Sequence, residues 1–375
     1  MDNNQNLIND ENNTQTQNIP KNNATYQASY NPQNKNPIIS IAKYLFILSI
    51  ISLIIVLIIF GKDLIFKDKH QVSNSKEIAV GQTAVISNNI YKDAILDSRE
   101  DAVELITLDS DAQKEKCDDE EIKKIERRLE VKHKIIAVNL CEMDLDFAKE
   151  LEKTVDKVFS DFPTIKGYLT NMTLTNPKED TTYIAAFTAT QLFATSNSVD
   201  TYPHAYKMIM NLNTTYFLDS QFLERSVEEA KSIGYFPAKA SRSSVVAHEF
   251  GHYISFVALL RSTFLDDTLL LTKYNYQRYL DLVNSWNKGE FSQKIIKEAY
   301  TNYKKKYKDN STTELQFRES ISGYAVATDA DGNYIYDETI AEAFHDNYLN
   351  GNQAKPASKE IIKVLRKYMN GYVEK

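Results

Sequence analysis

The longest apolar run in the chain lies near its N-terminus. Residues 37–60 consist mainly of Leu, Ile, Val and Phe, and residues 44–60 carry no charge. A helix of this length spans a bilayer. A helix of a soluble protein usually has one polar face toward water, and this run has none. The segment before it is too long for a cleaved signal peptide, and no small-residue cleavage site follows it. We therefore predict an uncleaved transmembrane helix at residues 37–60.

The segments on either side of this anchor are polar but differ in character. Residues 1–36 are rich in Asn and Gln and have few large apolar side chains, so they cannot bury enough surface to fold. We predict a disordered tail there. Residues 61–117 are mixed and polar, which is typical of a juxtamembrane stalk. Regular apolar periodicity begins near residue 118, so we place the folded domain at residues 118–375.

Helix-like and strand-like periods alternate within that domain, which predicts an α+β fold. Helices are predicted at 118–129, 144–159 and 217–233, and through most of 261–308 with a break near 287–289. Strands are predicted at 131–140, 168–174, 183–189 and 207–212, and a strand, turn and strand at 323–338.

A further helix is predicted around residues 245–254. Val246, Phe250 and Ile254 recur every four positions and form one apolar stripe. Pro237 prevents an earlier helix start, and a serine at 241, 243 or 244 can cap the first turn.

This helix carries the motif H-E-x-x-H. His248 and His252 are four residues apart and so share a face, where both imidazoles can bind one Zn²⁺. Glu249 is one position further round and can reach a water on the metal as a general base. No other charged residue occurs between residues 243 and 260. The spacing therefore predicts two zinc ligands and a catalytic base on one helical turn.

A third zinc ligand is expected from a second helix. Glu338, Glu342 and Asp346 share a helical face, while Ile340 and Phe344 make the opposite face apolar. One carboxylate can bind zinc and the next can accept a hydrogen bond from a ligand histidine. Two assignments stay open: Glu338 as ligand with Glu342 behind it, or Glu342 as ligand with Asp346 behind it.

Three stretches together resemble the catalytic domain of anthrax lethal factor-type metallopeptidases. They are residues 248–252 (HEFGH), 322–325 (SGYA) and 338–344 (ETIAEAF). This group of zincins includes the Pro-Pro endopeptidases secreted by Gram-positive bacteria. The resemblance implies a zincin-like domain with a small mixed sheet, in which the zinc ligands are His248, His252 and Glu338.

The same resemblance implies two supporting residues. Glu342 would support a ligand histidine from behind, and Tyr324 would stabilise the oxyanion. Tyr334 and Tyr336 are the alternatives to Tyr324, because they are nearer to the ligand helix in sequence.

The sequence thus leads us to expect a membrane-anchored zinc endopeptidase. Its substrate would be a protein or peptide, cleaved by a zinc-activated water with Glu249 as base and bound along an edge strand at 183–189 or 207–212. The alternative is a catalytically inactive zincin-fold protein that binds or scaffolds at the membrane. An intramembrane protease is disfavoured, because the motif lies far beyond the one apolar span.

Charge and cysteine content bear on which partners the chain can bind and on which side of the membrane its large domain lies. A net charge of −7 argues against a nucleic-acid partner. Cys117 and Cys141 can either form one disulfide or stay unpaired. Lysines are more numerous after the anchor than before it, which by the positive-inside rule favours a cytoplasmic domain. The family resemblance favours an extracellular one, and we adopt that expectation.

The anchor generates the first testable prediction. Because residues 37–60 are uninterrupted and lack a cleavage site, the protein should stay in the membrane fraction after a carbonate wash. Protease treatment of intact cells should then digest the large domain. Protection of that domain until the cells are lysed would show instead that it is cytoplasmic.

Overall fold

The computed structural model describes residues 99–113, 117–176, 183–192, 205–263, 276–329 and 331–370. The predicted tail at 1–36, the predicted anchor at 37–60 and the stalk up to residue 98 lie outside these ranges. Within them, none of the helices combines the length and the apolar character that crossing a bilayer requires.

The described residues are mostly helical, with one small sheet, so the predicted α+β class is confirmed. The helices are α1 (Arg99–Gln113), α2 (Glu120–His133), α3 (Leu145–Asp161), α4 (Thr214–Phe217), α5 (Ser220–Ser232), α6 (Val245–Thr263), α7 (Tyr276–Asn287), α8 (Glu290–Tyr307), α9 (Glu314–Glu319), α10 (Tyr336–Asn350) and α11 (Pro356–Met369). The strands are β1 (Ala137–Asn139), β2 (Asn171–Thr175), β3 (Ala185–Leu192) and β4 (Ala205–Asn213). Short 3₁₀ turns occur at Pro163–Ile165, Tyr324–Val326 and Gly351–Gln353.

The sheet is mixed and has the strand order β1-β2-β4-β3. Strands β1, β2 and β4 are parallel, and β3 is antiparallel to β4. Met210 on β4 is paired with Met172 on one side and with Phe187 on the other. These side chains therefore share the apolar face, and the ring of Phe187 packs on Tyr253 and Phe256 of α6. Helix α6 is thus held against the sheet beside β3.

The two edges of this sheet differ in how their backbone groups are satisfied. At the β1 edge, the amides of Val138 and Leu140 donate to the carboxylates of Glu130 and Glu126. These two backbone amides are therefore no longer available to pair with a further strand. Strand β4 lies inside the sheet, so 207–212 is wrong as the edge strand, and β3 occupies that position.

Two of the segments predicted as strands differ in the structure. The predicted strand at 131–140 is wrong in its first half, because α2 continues to His133 before Lys134 turns left-handed at φ 58°. His133 stacks on Phe159, and this contact stabilises the last turn of α2 as a buried helix. The predicted strands at 323–338 are also wrong. That segment has a single bridge between Thr328 and Tyr334, closed by a turn with Gly332 at φ 83°.

Helix α1 falls within the predicted stalk yet packs into the folded part of the chain. Its residues Ala102, Leu105 and Ile106 are fully buried in the core. On the polar face of the sheet, its Ser110 accepts a hydrogen bond from Asn171. The folded unit therefore extends at least to Arg99, rather than starting at residue 118. Cys117 and Cys141, whose pairing the sequence left open, form a disulfide with their Cα atoms 5.3 Å apart.

Helices α6 and α10 are in close contact at Gly251. A Cβ atom built on Gly251 would lie 2.6 Å from the Cα of Ala341 and 3.1 Å from the Cβ of Phe344. Because the nearer atom belongs to the backbone, it cannot move aside as a flexible side chain would. The contact therefore requires glycine at this position.

This contact predicts that Gly251→Ala destabilises the protein. In an ordinary helix that change stabilises by about 0.5–1 kcal/mol. Here we expect the steric overlap to prevail and the free energy of unfolding to fall by about 1–3 kcal/mol. Denaturant unfolding of the metal-free chain measures it. The control Gln221→Ala, exposed on α5, should stay within about 0.5 kcal/mol of wild type. Equal stability of wild type and Gly251→Ala would contradict the close contact.

Candidate metal centre

The two motif histidines lie on the face of α6 that meets α10. Almost all of α6 is buried, including His248, whereas the His252 side chain keeps 14% of its surface exposed. Their rings are edge-to-face, with centroids 5.1 Å apart. The helix therefore presents both imidazoles toward one point between α6 and α10.

Glu338 at the start of α10 reaches the same point. Its Oε2 lies 3.1 Å from Nε2 of His248 and 3.6 Å from Nε2 of His252. Three ligands at tetrahedral zinc distances are about 3.3 Å apart from one another. Two nitrogens and one carboxylate oxygen are also donors that zinc accepts readily. The side chains present here thus fit a zinc ion held by His248, His252 and Glu338.

Glu342, one turn further along α10, supports His248 from behind. Its Oε1 is 2.7 Å from Nδ1 of His248, and its side chain is fully buried. An Nδ1–H donated to this carboxylate leaves the Nε2 lone pair for a metal. Of the two open assignments, the geometry favours Glu338 at the ligand position and Glu342 behind it. Asp346 is elsewhere engaged, accepting from the side chain of Asn350 and the amide of Lys355.

Without a metal, these contacts act on the protonation of the histidines. Burial lowers the pKa of His248, but the hydrogen bonds that it donates to Glu338 and Glu342 outweigh it and hold the pKa well above its usual value. Burial likewise lowers the pKa of His252, and Glu338 raises it on balance. Interaction with His248 and His345 overcomes burial and lowers the pKa of Glu342 to about 2. A metal bound at the Nε2 atoms would therefore take the place of protons.

Glu249 is placed beside the metal position but is held by another element. Its Oε2 accepts a hydrogen bond of 3.1 Å from the backbone amide of Phe187 on β3. Burial raises the pKa of Glu249, and the nearby histidines offset this only in part. Glu249, His248 and His252 each offer an atom within 4.8 Å of the others. The Glu249 carboxylate is thus held at the edge strand of the sheet.

Two tyrosines cover one face of the centre. Tyr324 stacks on His248 with ring centroids 5.4 Å apart, and Tyr235 stacks on Tyr324 at 4.5 Å. Burial raises the pKa of Tyr235, so its phenol is a neutral donor. The alternatives Tyr334 and Tyr336 instead lie over the guanidinium of Arg318. The structure therefore brings Tyr324, rather than those two, to the candidate ligand His248.

A second group of side chains that could hold a metal ion shares His248. His248, Glu342 and His345 also offer atoms within 4.8 Å of one another, on the Nδ1 side of His248. Glu342 and His345 are both fully buried there. A catalytic metal needs a coordination position open to water and substrate. The Nε2 side, where His252 is partly exposed, meets that need better.

Several groups at this centre were not assigned from the sequence. They are the Phe187 amide, Tyr235, Ser244 and His345. A backbone amide carries no sequence signal, and Tyr235 and Ser244 belong to the segment before α6, whose path the periodicity does not define. His345 had a visible signal, since it follows Glu342 by three residues on the same helix.

The geometry predicts different consequences for the two glutamates. Glu342→Gln should weaken zinc binding about 10–100-fold, as expected for a residue behind a ligand. Glu338→Gln should weaken it more, since a ligand is lost. Competition with a chelator of known affinity measures both, and the exposed Glu319→Gln serves as control. The opposite order would place the metal on the Nδ1 side of His248.

Comparison of the chain with protein-family models, with curated proteins and with solved structures found no match. The resemblance to lethal factor-type metallopeptidases accordingly stays a prediction from three motifs. A functional assignment therefore depends on the arrangement of His248, His252, Glu338 and Glu249 in this chain itself.

Proposed function

We propose that this chain is a membrane-anchored zinc endopeptidase with a zincin-like catalytic domain. The observation that carries the proposal is the position of Glu338 Oε2, 3.1 Å and 3.6 Å from the Nε2 atoms of His248 and His252. A purely structural zinc site would have no use for the carboxylate of Glu249 beside it. This combination supports hydrolysis over metal storage or scaffolding.

The reaction divides between the metal and the side chains around it. Zinc, when bound, polarises the scissile carbonyl and makes a water more acidic. Glu249 takes the proton from the attacking water and delivers it to the leaving amine. The Phe187 amide holds one oxygen of Glu249 and leaves the other to receive that proton. Tyr324 donates from its hydroxyl to the developing oxyanion.

The substrate class follows from the edge of the sheet. β3 is the edge strand nearest the centre, because its Phe187 amide already reaches Glu249. An extended peptide can add to such an edge through backbone hydrogen bonds, with its scissile bond near the metal. The carboxylates that cap the β1 edge leave β3 as the better docking edge among the described strands.

The location follows from the anchor and the disulfide. The Cys117–Cys141 disulfide is typical of proteins in an oxidising environment. Together with the predicted anchor at 37–60, it supports a catalytic domain on the extracellular side of the membrane. The lysine distribution is the observation that points the other way.

The proposal predicts that Glu249→Gln abolishes peptidase activity while leaving zinc binding intact. Glutamine is nearly isosteric but cannot accept the proton at neutral pH, so turnover should fall at least about 10²–10⁴-fold. Digestion of a peptide library by the full-length chain, with and without chelator, measures it by mass spectrometry.

Glu319→Gln is the matched control, since it makes the same change at an exposed site. A Glu249→Gln variant with bound zinc and more than about a tenth of wild-type turnover would contradict general-base catalysis by Glu249. A wild-type chain that binds zinc but cleaves nothing would favour the inactive, binding alternative.

A further inference from the structure

Behind the metal ligands lies a buried pair of atoms without hydrogen-bond partners. They are Nδ1 of His345 and Oε2 of Glu342. Both residues are fully buried on the same turn of α10, and Nδ1 of His345 is 3.9 Å from the other oxygen of Glu342. An unsatisfied buried polar atom is costly, so the two would gain by meeting. Whether they attract depends on which ring nitrogen of His345 carries the proton.

The other nitrogen of His345 gives the answer, because it faces Ser244. Nε2 of His345 is 3.0 Å from the Ser244 hydroxyl, which also accepts from the Ser241 amide. That hydroxyl has one hydrogen, and its two possible acceptors are Nε2 and the carbonyl of Ser241. The carbonyl already receives the Ser244 amide. It therefore stays satisfied when the hydroxyl donates to Nε2.

The opposite arrangement is unfavourable. If the hydroxyl donated to the Ser241 carbonyl, Nε2 of His345 would have to carry the ring proton. A bare Nδ1 lone pair would then face the carboxylate of Glu342 in a buried site, and the two would repel. With the proton on Nδ1, the same contact becomes attractive. The terminal torsion of Glu342 is broad in energy, so its carboxylate can turn toward this donor.

We propose that His345 is a positioning residue of the metal centre, donating from Nδ1–H to Glu342. Ser244, His345, Glu342 and His248 then form one hydrogen-bonded chain that ends at the metal. Held from two sides, Glu342 keeps the ring of His248 oriented with Nε2 toward the ion. This inference rests on the proposed zinc site, and it assigns His345 a role that is distinct from that of a ligand.

The tautomer of His345 is the first test. Long-range ¹H–¹⁵N spectra of the metal-free, full-length chain distinguish protonated from bare ring nitrogens, and His345→Gln identifies the signals. We expect a proton on Nδ1 of His345. A bare Nδ1 would overturn the proposal. Because no zinc is needed, the result stands even if the proposed function fails.

A matched pair of amide variants is the second test. The side-chain amide of asparagine lies near the position of Nδ1, whereas that of glutamine lies near Nε2. His345→Asn should therefore keep a donor to Glu342 and bind zinc nearly as wild type does. His345→Gln keeps only the contact with Ser244, and its zinc affinity should fall about 10–100-fold.

The control separates positioning from general packing. His133 is another buried histidine, hydrogen-bonded to Asp156 away from the centre. His133→Gln should lower the melting temperature without changing zinc affinity. Equal zinc affinities for His345→Asn and His345→Gln would contradict the proposal. If both bound zinc as weakly as His252→Gln, His345 would be a ligand and the proposal would also be wrong. A wild-type chain that binds no zinc would contradict the proposed function alone.

Discussion

Helices α6 and α10 meet at Gly251 and Ala341 with no side chain between their backbones, and the candidate metal centre depends on that contact. The glycine lies between His248 and His252, and the alanine lies between Glu338 and Glu342. The two histidines and the two glutamates are therefore each one helical turn or less from the contact between Gly251 and Ala341. Since a helix is stiff over that length, the contact fixes the positions of these four residues relative to one another. Their side chains then meet between the two helices.

The charges brought together by this contact would be unfavourable in isolation. Two glutamates are almost entirely removed from water, and burial alone would raise their pKa. The imidazoles beside them reverse that shift, so both carboxylates stay ionised. The raised pKa of both histidines favours protons there as the balancing charge in the metal-free protein, and a divalent ion can provide that charge when bound. Stability and metal binding thus use the same interactions.

The sequence predicted the α+β class, the helix around His248 and the acidic helix, because strong apolar periods define helices. It placed short elements less well. Residues 131–133 look strand-like but continue α2, since His133 is buried against Phe159. Residues 323–338 look like a hairpin, yet a 3₁₀ turn lies near the start of this segment and α10 begins at its end. The hydrogen-bond partner of Glu249 could not be predicted from the sequence, because it is a backbone amide that only the fold brings close.

The hydrogen bond between Glu249 and the Phe187 amide also bears on aggregation. An edge strand offers unpaired backbone groups that invite pairing with another copy of the chain. At the opposite edge, two glutamates of α2 remove that opportunity permanently. At β3 the Phe187 amide is taken up by Glu249, the proposed catalytic base. The same side chain can thus shield part of this edge from a second copy of the chain while its other oxygen remains available for the reaction.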